Sequence, residues 1–468
     1  MLLGYESVNA MSPPSQGEYE SEPVQNESLQ GNSSEVQVII AKAKSLSDEG
    51  RYEEAITYYD KALAIDPNDA YVLANKGVSL GELGKHQEAI IYFDRILAID
   101  SKNVAALYNK GKSLYLLGKY QEAIAYNDKV LAIDPNDVNA LNNKGVALNN
   151  MGKYQEAITY YDKASAMDPN YVKAVYNKGI ALNNLGKYQE AITYYDNVLT
   201  LDPNHALALN NKGVALNNLG KYQEAITNYD KVLTLDPNYA LALNNKGVAL
   251  NNLGKYQEAI TYYDKALVLE PNDVRTLNNK GLALDKLGHS EEAITYYDKI
   301  LAIDPNDVDA LNNKIAALGK LAPSFKPTSL SSNAHAQFRG YTYVSSSLNS
   351  TSTMVTTNDA ATCENIQKLV DQGLKLKPDD IKILTNAGIN LAQKCGKYEE
   401  SITYYDRALA VNASYVPALY NKAVSLDKIG NHEEAQTLFE KSKELDPNYK
   451  TDFIVGAPRL AEPLPSPI

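Results

Sequence analysis

The chain keeps a 34-residue beat, and that period limits its fold more than any other feature. Prolines stand at Pro67, Pro135, Pro169, Pro203, Pro237, Pro271 and Pro305, every interval being 34 except the first, a double one with Ser101 at its midpoint. Glycines follow the same beat at Gly77, Gly111, Gly145, Gly179, Gly213, Gly247 and Gly281. A second series lies seven residues later, from Gly84 to Gly288. Residues 206–227 and 240–261 are identical over 22 positions. A period of this length is the mark of a repeat architecture, in which one supersecondary unit is copied and stacked.

One unit, 206–239, shows what is copied. Leu209, Gly213 and Leu216 lie on one face of a first helix. Gly213 inside that helix costs up to about 1 kcal/mol against Ala, so its presence predicts a close approach by a neighbour. Gly220 follows the last periodic position, where a left-handed helix end favours glycine. A second helix opens at Tyr222, with Ala225, Ile226, Tyr229, Val232 and Leu233 along its apolar stripe. Asp236-Pro237-Asn238 ends the unit, with the polar residue after Pro237 expected to cap the next helix. A single pair of one-sided helices cannot bury its own apolar face; stacked copies bury each other's.

Composition agrees with reuse of one short unit, since 35 Tyr stand beside 5 Phe and no Trp. Net charge is −12. That balance argues against phosphate backbones and anionic membrane surfaces as partners, both of which call for clustered Lys and Arg. Residues 1–35 hold six acids (Glu6, Glu18, Glu20, Glu22, Glu27, Glu35) and no Lys or Arg, and read as a disordered acidic tail. No run approaches the roughly 20 apolar residues of a membrane span. Met1-Leu2-Leu3-Gly4 lacks the basic and apolar regions of a secretory signal. The expected location is cytoplasmic.

On these residues the chain resembles the tetratricopeptide repeat family. Its pattern appears in 240–273 as Leu243, Gly247, Leu250, Ala259, Tyr263, Ala266 and Pro271. One departure recurs: Lys76, Lys110, Lys144, Lys178, Lys212, Lys246 and Lys280 stand before the first glycine, where the family has Leu. Their stems are expected to snorkel over the helix seam and to alter the charge of the groove. The resemblance covers 36 to 449 apart from one insert. It implies an all-α fold, a right-handed α-solenoid of about eleven antiparallel helix pairs.

Eight units run from 36–69 to 274–307, and a ninth begins with Leu311 and Leu318 before register is lost at Pro323. Residues 322–361 are rich in Ser and Thr and read as a disordered insertion. An amphipathic run (Ile366, Leu369, Val370, Leu374) then ends at Pro378, 39 residues later than the period requires. Two readings follow: a ninth repeat split into helices at 308–321 and 362–376, or two solenoids joined by a linker. The split is favoured because each half supplies the helix the other lacks. The resulting bodies are 36–321 and 362–449, with a C-terminal tail, 450–468. In the repeat beginning near 381, one extra residue between Gly388 and Gly396 predicts a bulged first helix. Ser34 followed by Gln37 reads as a capping box at the entry. The far end shows no polar capping helix, so Phe453, Ile454 and Val455 either fold over it or leave a surface for self-association.

Carboxylates recur with the period, which leaves no unique pocket to part the pKa values of a catalytic pair. The glycines form no phosphate-cradling motif. His86, His205, His289, His335 and His432 have no metal-ligand spacing. No enzyme activity, cofactor or metal is expected. Register places Cys363 and Cys395 on one edge of the solenoid, and the expected state is two free thiols in a reducing cytosol; a disulfide needs Cα atoms within roughly 7 Å.

In the family the first helices line the concave surface, which makes recurring polar residues there candidates for binding. Asn75, Asn109, Asn143, Asn177, Asn211, Asn245, Asn279, Asn313, Asn386 and Asn421 hold the sixth position of their units. Asn150, Asn184, Asn218 and Asn252 lie seven residues further on. Such a series resembles the asparagine ladder in the repeat domain of O-linked N-acetylglucosamine transferase. An amide donates and accepts, so the series suits an extended peptide backbone; the competing reading has Asn bond between adjacent repeats. The carboxylate clamp of chaperone-binding members is not expected, because Val146, Ile180, Val214 and Val248 stand where it has Asn. The expected function is a scaffold for peptides or disordered segments of other proteins. The alternatives are a self-associating subunit that uses the solenoid ends, and a helical-repeat RNA binder, which would need a basic groove.

Overall fold

The computed structural model describes residues 34–321, 335–338, 341–344 and 357–449. These form two compact units divided between Leu235 and Asp236. The first holds twelve helices: α1 (Ser34–Asp48), α2 (Tyr52–Ile65), α3 (Ala70–Glu82), α4 (His86–Ile99), α5 (Val104–Leu116), α6 (Tyr120–Ile133), α7 (Val138–Asn150), α8 (Tyr154–Met167), α9 (Val172–Asn184), α10 (Tyr188–Leu201), α11 (Ala206–Asn218) and α12 (Tyr222–Leu235). The second holds α13 (Ala240–Asn252), α14 (Tyr256–Leu269), α15 (Val274–Lys286), α16 (Ser290–Ile303), α17 (Val308–Leu321), α18 (Thr357–Leu376), α19 (Ile381–Gln393), α20 (Tyr398–Val411), α21 (Val416–Lys428) and α22 (His432–Leu445). Within each unit every helix packs on its sequence neighbours, the arrangement of an all-α repeat solenoid. Among the described residues no helix is long and apolar enough to cross a membrane.

Apart from α17 and α18, which the insertion separates, each hairpin closes through a left-handed glycine. At the end of α9, Gly186 has φ 75°, and the Lys187 N–H reaches back to the Leu182 carbonyl at 2.9 Å. This is the glycine-terminated helix end that the sequence predicts. The cap of the following helix comes one residue later than expected. Asp137, not the residue after proline, accepts from the Ala140 N–H at 2.8 Å, while the preceding Asp134 holds the Asn136 N–H at 2.9 Å.

The core of a unit is a tyrosine over a glycine. Tyr161, Tyr195 and Tyr229 are fully buried in the first unit, as are Tyr263, Tyr297 and Tyr405 in the second. A Cβ on Gly179 would come 2.6 Å from Cε1 of Tyr195, so the close approach implied by the helical glycine is made by this ring. In the third repeat Asn127 replaces the ring, and a Cβ on Gly111 would meet nothing nearer than 3.6 Å.

Neighbouring hairpins are joined at the recurrent lysine. Lys178 on α9 pairs with Asp162 on α8, and its ammonium lies 4.4 Å from the centroid of the Tyr194 ring on α10. The same trio recurs as Asp60–Lys76–Tyr92, Asp94–Lys110–Tyr126 and Asp128–Lys144–Tyr160. In the second unit it appears as Asp264–Lys280–Tyr296, and the pairs Asp298–Lys314 and Asp406–Lys422 continue it. The stems are buried as expected, while the ammonium is taken up in the seam. Burial opposes the charge on Lys178, but its bonds to Asp162 and Tyr194 outweigh that and raise its pKa.

In the second unit α17 pairs with α18 across the insertion. Ile315 on α17 shares a core with Ile366 and Val370 on α18 and Ile383 on α19. The Asn386 amide donates to Asn312 Oδ1 at 2.9 Å across 74 residues, where the equivalent bond from Asn313 to Asn278 spans 35. The difference, 39, is the surplus read from the prolines. The insertion is not wholly without structure: β1 (His335–Phe338) and β2 (Tyr341–Val344) pair antiparallel, and α18 begins at Thr357. β1 alternates polar with apolar or aromatic residues, and β2 does so up to Tyr343, a β pattern too short to stand out beside a 34-residue period.

Three expectations need correction. The first helix after Pro378 is not bulged: α19 has 13 residues, as α13 does, and the surplus residue lies in the following turn. There the Lys397 N–H reaches the Leu391 carbonyl, six residues back instead of five. The cysteines are not free thiols: Cys363 on α18 and Cys395 in that enlarged turn form a disulfide, with Cα atoms 6.2 Å apart. The far end does carry a polar helix: on α22, Gln436 and Lys443 are exposed at the places where α20 has Ile402 and Leu409. Phe453, Ile454 and Val455 and the tails 1–33 and 450–468 lie outside the described residues, as does the side chain of Ser34, which is the first residue of α1.

Candidate functional site

The asparagines singled out by the period fall into two groups that do different work. Those at the sixth position are turned into the seams. In the first unit Asn177 and Asn211 are 2% and 1% exposed. Asn177 donates to Asn142 Oδ1 at 3.0 Å and Asn211 to the Tyr176 hydroxyl at 2.8 Å, each on the preceding repeat. Asn75 and Asn109 are half-buried and donate to their own helix, at the carbonyls of Tyr71 and Ala105. Asn143 is likewise half-buried and engaged.

The second unit repeats the pattern. Asn245, Asn279, Asn313, Asn386 and Asn421 are all buried. Asn279 donates to Asn244 Oδ1 at 2.9 Å, Asn313 to Asn278 and Asn386 to Asn312. Asn421 holds the Pro417 carbonyl at 2.8 Å, and Asn245 too is engaged. The bond between adjacent repeats, one of the two sequence readings, is therefore present within both units. Its signal was the Asn-Asn dipeptide: the second residue of one pair donates to the first residue of the pair before it.

The other group faces outward. Asn150, Asn184 and Asn218 in the first unit, and Asn252 in the second, are exposed in the last turn of their helices. Asn150 donates to the Tyr115 hydroxyl and the Val146 carbonyl, both at 2.9 Å. Asn184 and Asn218 carry no side-chain hydrogen bond among the described residues, so both amides face solvent. Beside them sits a second row that the sequence reading missed, Asn149 and Asn183. Each has a buried Oδ1 with no hydrogen-bond partner among the described residues.

Charge enters this face sparingly. Lys112 on α5 stands where α7 and α9 have Val146 and Ile180, 3.8 Å from Glu82. Burial lowers its pKa, with Glu82 opposing, and burial together with Lys112 lowers that of His86. A carboxylate clamp is not assembled: Val146, Ile180 and Val214 are 2–3% exposed and Val248 1%, and Lys144 and Lys178 are already paired. Among the described residues no group of three or more His, Cys, Asp or Glu side chains could hold a metal ion.

Family profiles described as tetratricopeptide repeat match residues 103–170, 142–206, 176–240, 240–273, 274–307 and 387–450, more than half the chain. Residues 48–130 match the profile of anaphase-promoting complex, cyclosome, subunit 3. No curated protein matches the sequence. Among solved structures, a tetratricopeptide repeat protein from Parabacteroides merdae is 21% identical, covering 53% of this chain and 98% of its own, with a TM-score of 0.47. YrrB, described as a TPR protein with an unusual peptide-binding site, is 26% identical over 40% of this chain and 97% of its own, at 0.33. MamA from Desulfovibrio magneticus is 26% identical over 36% of this chain and 96% of its own, at 0.34.

Proposed function

Because the chain belongs to the tetratricopeptide repeat family, whose repeats generally mediate protein–protein interactions, we propose that it is a non-catalytic scaffold binding extended segments of other proteins along its first helices. The observation that carries this reading is the exposed series Asn150, Asn184 and Asn218, uncharged amides set one repeat apart on α7, α9 and α11, with Asn184 and Asn218 open at both donor and acceptor and Asn150 at its oxygen. An amide offers a donor and an acceptor together, which suits the alternating groups of a peptide backbone whatever its side chains. The buried asparagines contribute indirectly. Asn177 and Asn211 fix each hairpin to the one before it, so the exposed amides are held at a constant step, and binding then orders little besides the ligand.

The competing reading is self-association through the ends. What opposes it is the polar surface of α22, where Gln436 and Lys443 replace the apolar residues of an internal seam. Light scattering at several concentrations separates the two, a concentration-dependent mass being the mark of association. The binding reading is tested by selecting extended peptides from a display library on the full chain. Those peptides are then titrated against Asn150→Ala/Asn184→Ala/Asn218→Ala. Binding weaker by about tenfold or more, a loss of roughly 1.4 kcal/mol, with an unchanged melting temperature is the expected result. Equal affinity for both proteins would remove the amide series from the function.

A further inference from the structure

We propose that Cys363 and Cys395 form a redox-operated clasp on the joint between α18 and α19, one that dithiol reductants open. Described seams elsewhere are locked by a lysine of one repeat and an aspartate of the repeat before, as at Lys178–Asp162, Lys280–Asp264 and Lys422–Asp406. On α19 the lysine's place is taken by Ala387, 1% exposed, while the aspartate opposite, Asp371, is kept and is hydrogen-bonded by Gln367 at 2.8 Å. The recurrent lysine–aspartate lock is thus missing from the joint that carries the covalent one, where the ion pair across the seam is instead Lys382 on α19 with Asp309 on α17, at 3.8 Å.

Both cysteines depart from the repeat where they stand. Cys363 occupies the place at which Tyr154, Tyr188 and Tyr398 open their helices. Cys395 lies in the turn enlarged by one residue, between α19 and Gly396. Substitution in one repeat and insertion in the next are independent events, and they meet in a single bond. Both residues are half-buried and not sealed in the core, so a small reductant can reach them.

The helix held by the clasp also brings smaller side chains to the core than its counterparts. Val370 fills the site taken by a tyrosine in α16 and α20, and Gly373 that of an alanine or isoleucine. α18 therefore contributes less apolar surface of its own than its counterparts do, and Ile383 on α19, in the place of Ala310 on α17, packs against Gly373. Its other ties include the Ile366 and Val370 contacts, with Leu369 and Leu374 packed beside them, and two glutamine bonds, Gln367 to the Tyr404 hydroxyl and Gln372 to the Pro305 carbonyl. Opening the clasp breaks the S–S bond. Two reductant thiols supply two electrons and two protons, leaving two cysteine thiols, and the reductant becomes its own disulfide. Elsewhere a seam is permanent; here it follows the redox state of the surroundings.

Hydrogen exchange on the full chain, air-oxidised and after treatment with dithiothreitol, tests this directly. The expected result is amide exchange in α18 faster by about tenfold or more on reduction, with α5 to α10 unchanged. Cys363→Ser/Cys395→Ser should exchange as the reduced protein does. Adding Ala387→Lys to that variant, which sets a lysine opposite Asp371, should return protection to α18. Unchanged exchange in α18 on reduction, or two free thiols after air oxidation, would overturn the clasp. Failure of Ala387→Lys to restore protection in a folded variant would overturn its standing in for the missing lock.

Discussion

A Cβ placed on Gly213 would stand 2.5 Å from Cε1 of Tyr229, so the smallest residue of the first helix and the largest buried ring of the second are fitted to one another. Gly213→Ala gains up to about 1 kcal/mol of helix propensity but forces the ring aside, at about 1–3 kcal/mol for overpacking. The expected outcome is a net loss of stability in urea denaturation. Gly111→Ala is the internal control. With Asn127 in place of the ring, the added methyl is in ordinary contact, and the variant should be neutral or more stable.

The Tyr229 hydroxyl is buried without a hydrogen-bond partner among the described residues, and burial drives its pKa well above the usual tyrosine value. Tyr229→Phe should stabilise the chain by about 1 kcal/mol, because an unsatisfied buried donor is costly while the ring contacts are kept. A destabilised variant in the same denaturation assay would mean that the hydroxyl is bonded in solution.

The two asparagine groups should separate in stability as they do in position. Asn177→Ala leaves Asn142 without its buried donor and should cost about 1–3 kcal/mol. Asn184→Ala changes an exposed amide and should stay within about 0.5 kcal/mol. Comparable losses for both would erase the distinction between seam and face.

The lysine lock can be measured as a coupling. A double-mutant cycle with Lys178→Met and Asp162→Asn should give an interaction of about 0.5–2 kcal/mol that weakens in salt. Methionine keeps most of the buried stem, so the cycle reports the charge and not the packing. A coupling of zero would make the pair incidental.

Stability should fall steeply in alkali. Burial raises the pKa of Tyr161, Tyr229, Tyr297 and Tyr405 well above 10.0. Above pH 10 the unfolded chain releases these protons and the folded chain keeps them, so rising pH favours unfolding. The lysines add to the same slope. Lys76, Lys144 and Lys178 are raised above 10.5, and their contribution, intact below that pH, is lost as pH climbs through the folded value. Helix loss by circular dichroism should coincide with the rise in tyrosinate absorbance. Buried tyrosines that ionise in a helical chain would contradict this.

The hairpin order, the helical glycine and the 39-residue displacement of Pro378 are visible in the sequence, because each is a matter of spacing along one chain. What lies across a seam is less visible. The series of Asn177 and its counterparts reads as a surface or as a seam, since a period records that a residue recurs and not which way it faces; only the bond to Asn142 turns it inward. Lys178 was placed by its stem, but its partners Asp162 and Tyr194 lie 16 residues away on either side, outside any helical pattern. The Cys363–Cys395 bond depends on a residue gained in a turn, and the sequence alone did not distinguish a longer turn from a bulged helix.

The acid, lysine and ring that recur from seam to seam have a consequence for how such a chain changes over generations. A segment of 34 residues cut or copied between equivalent points leaves matching edges, so the array can lengthen or shorten by unequal recombination without a new interface having to arise. The identity of 206–227 with 240–261 is what recent copying leaves behind. Around α18 that freedom stops. Its cysteine fits a neighbour with one particular enlarged turn, which makes this the stretch that inheritance must carry as a block.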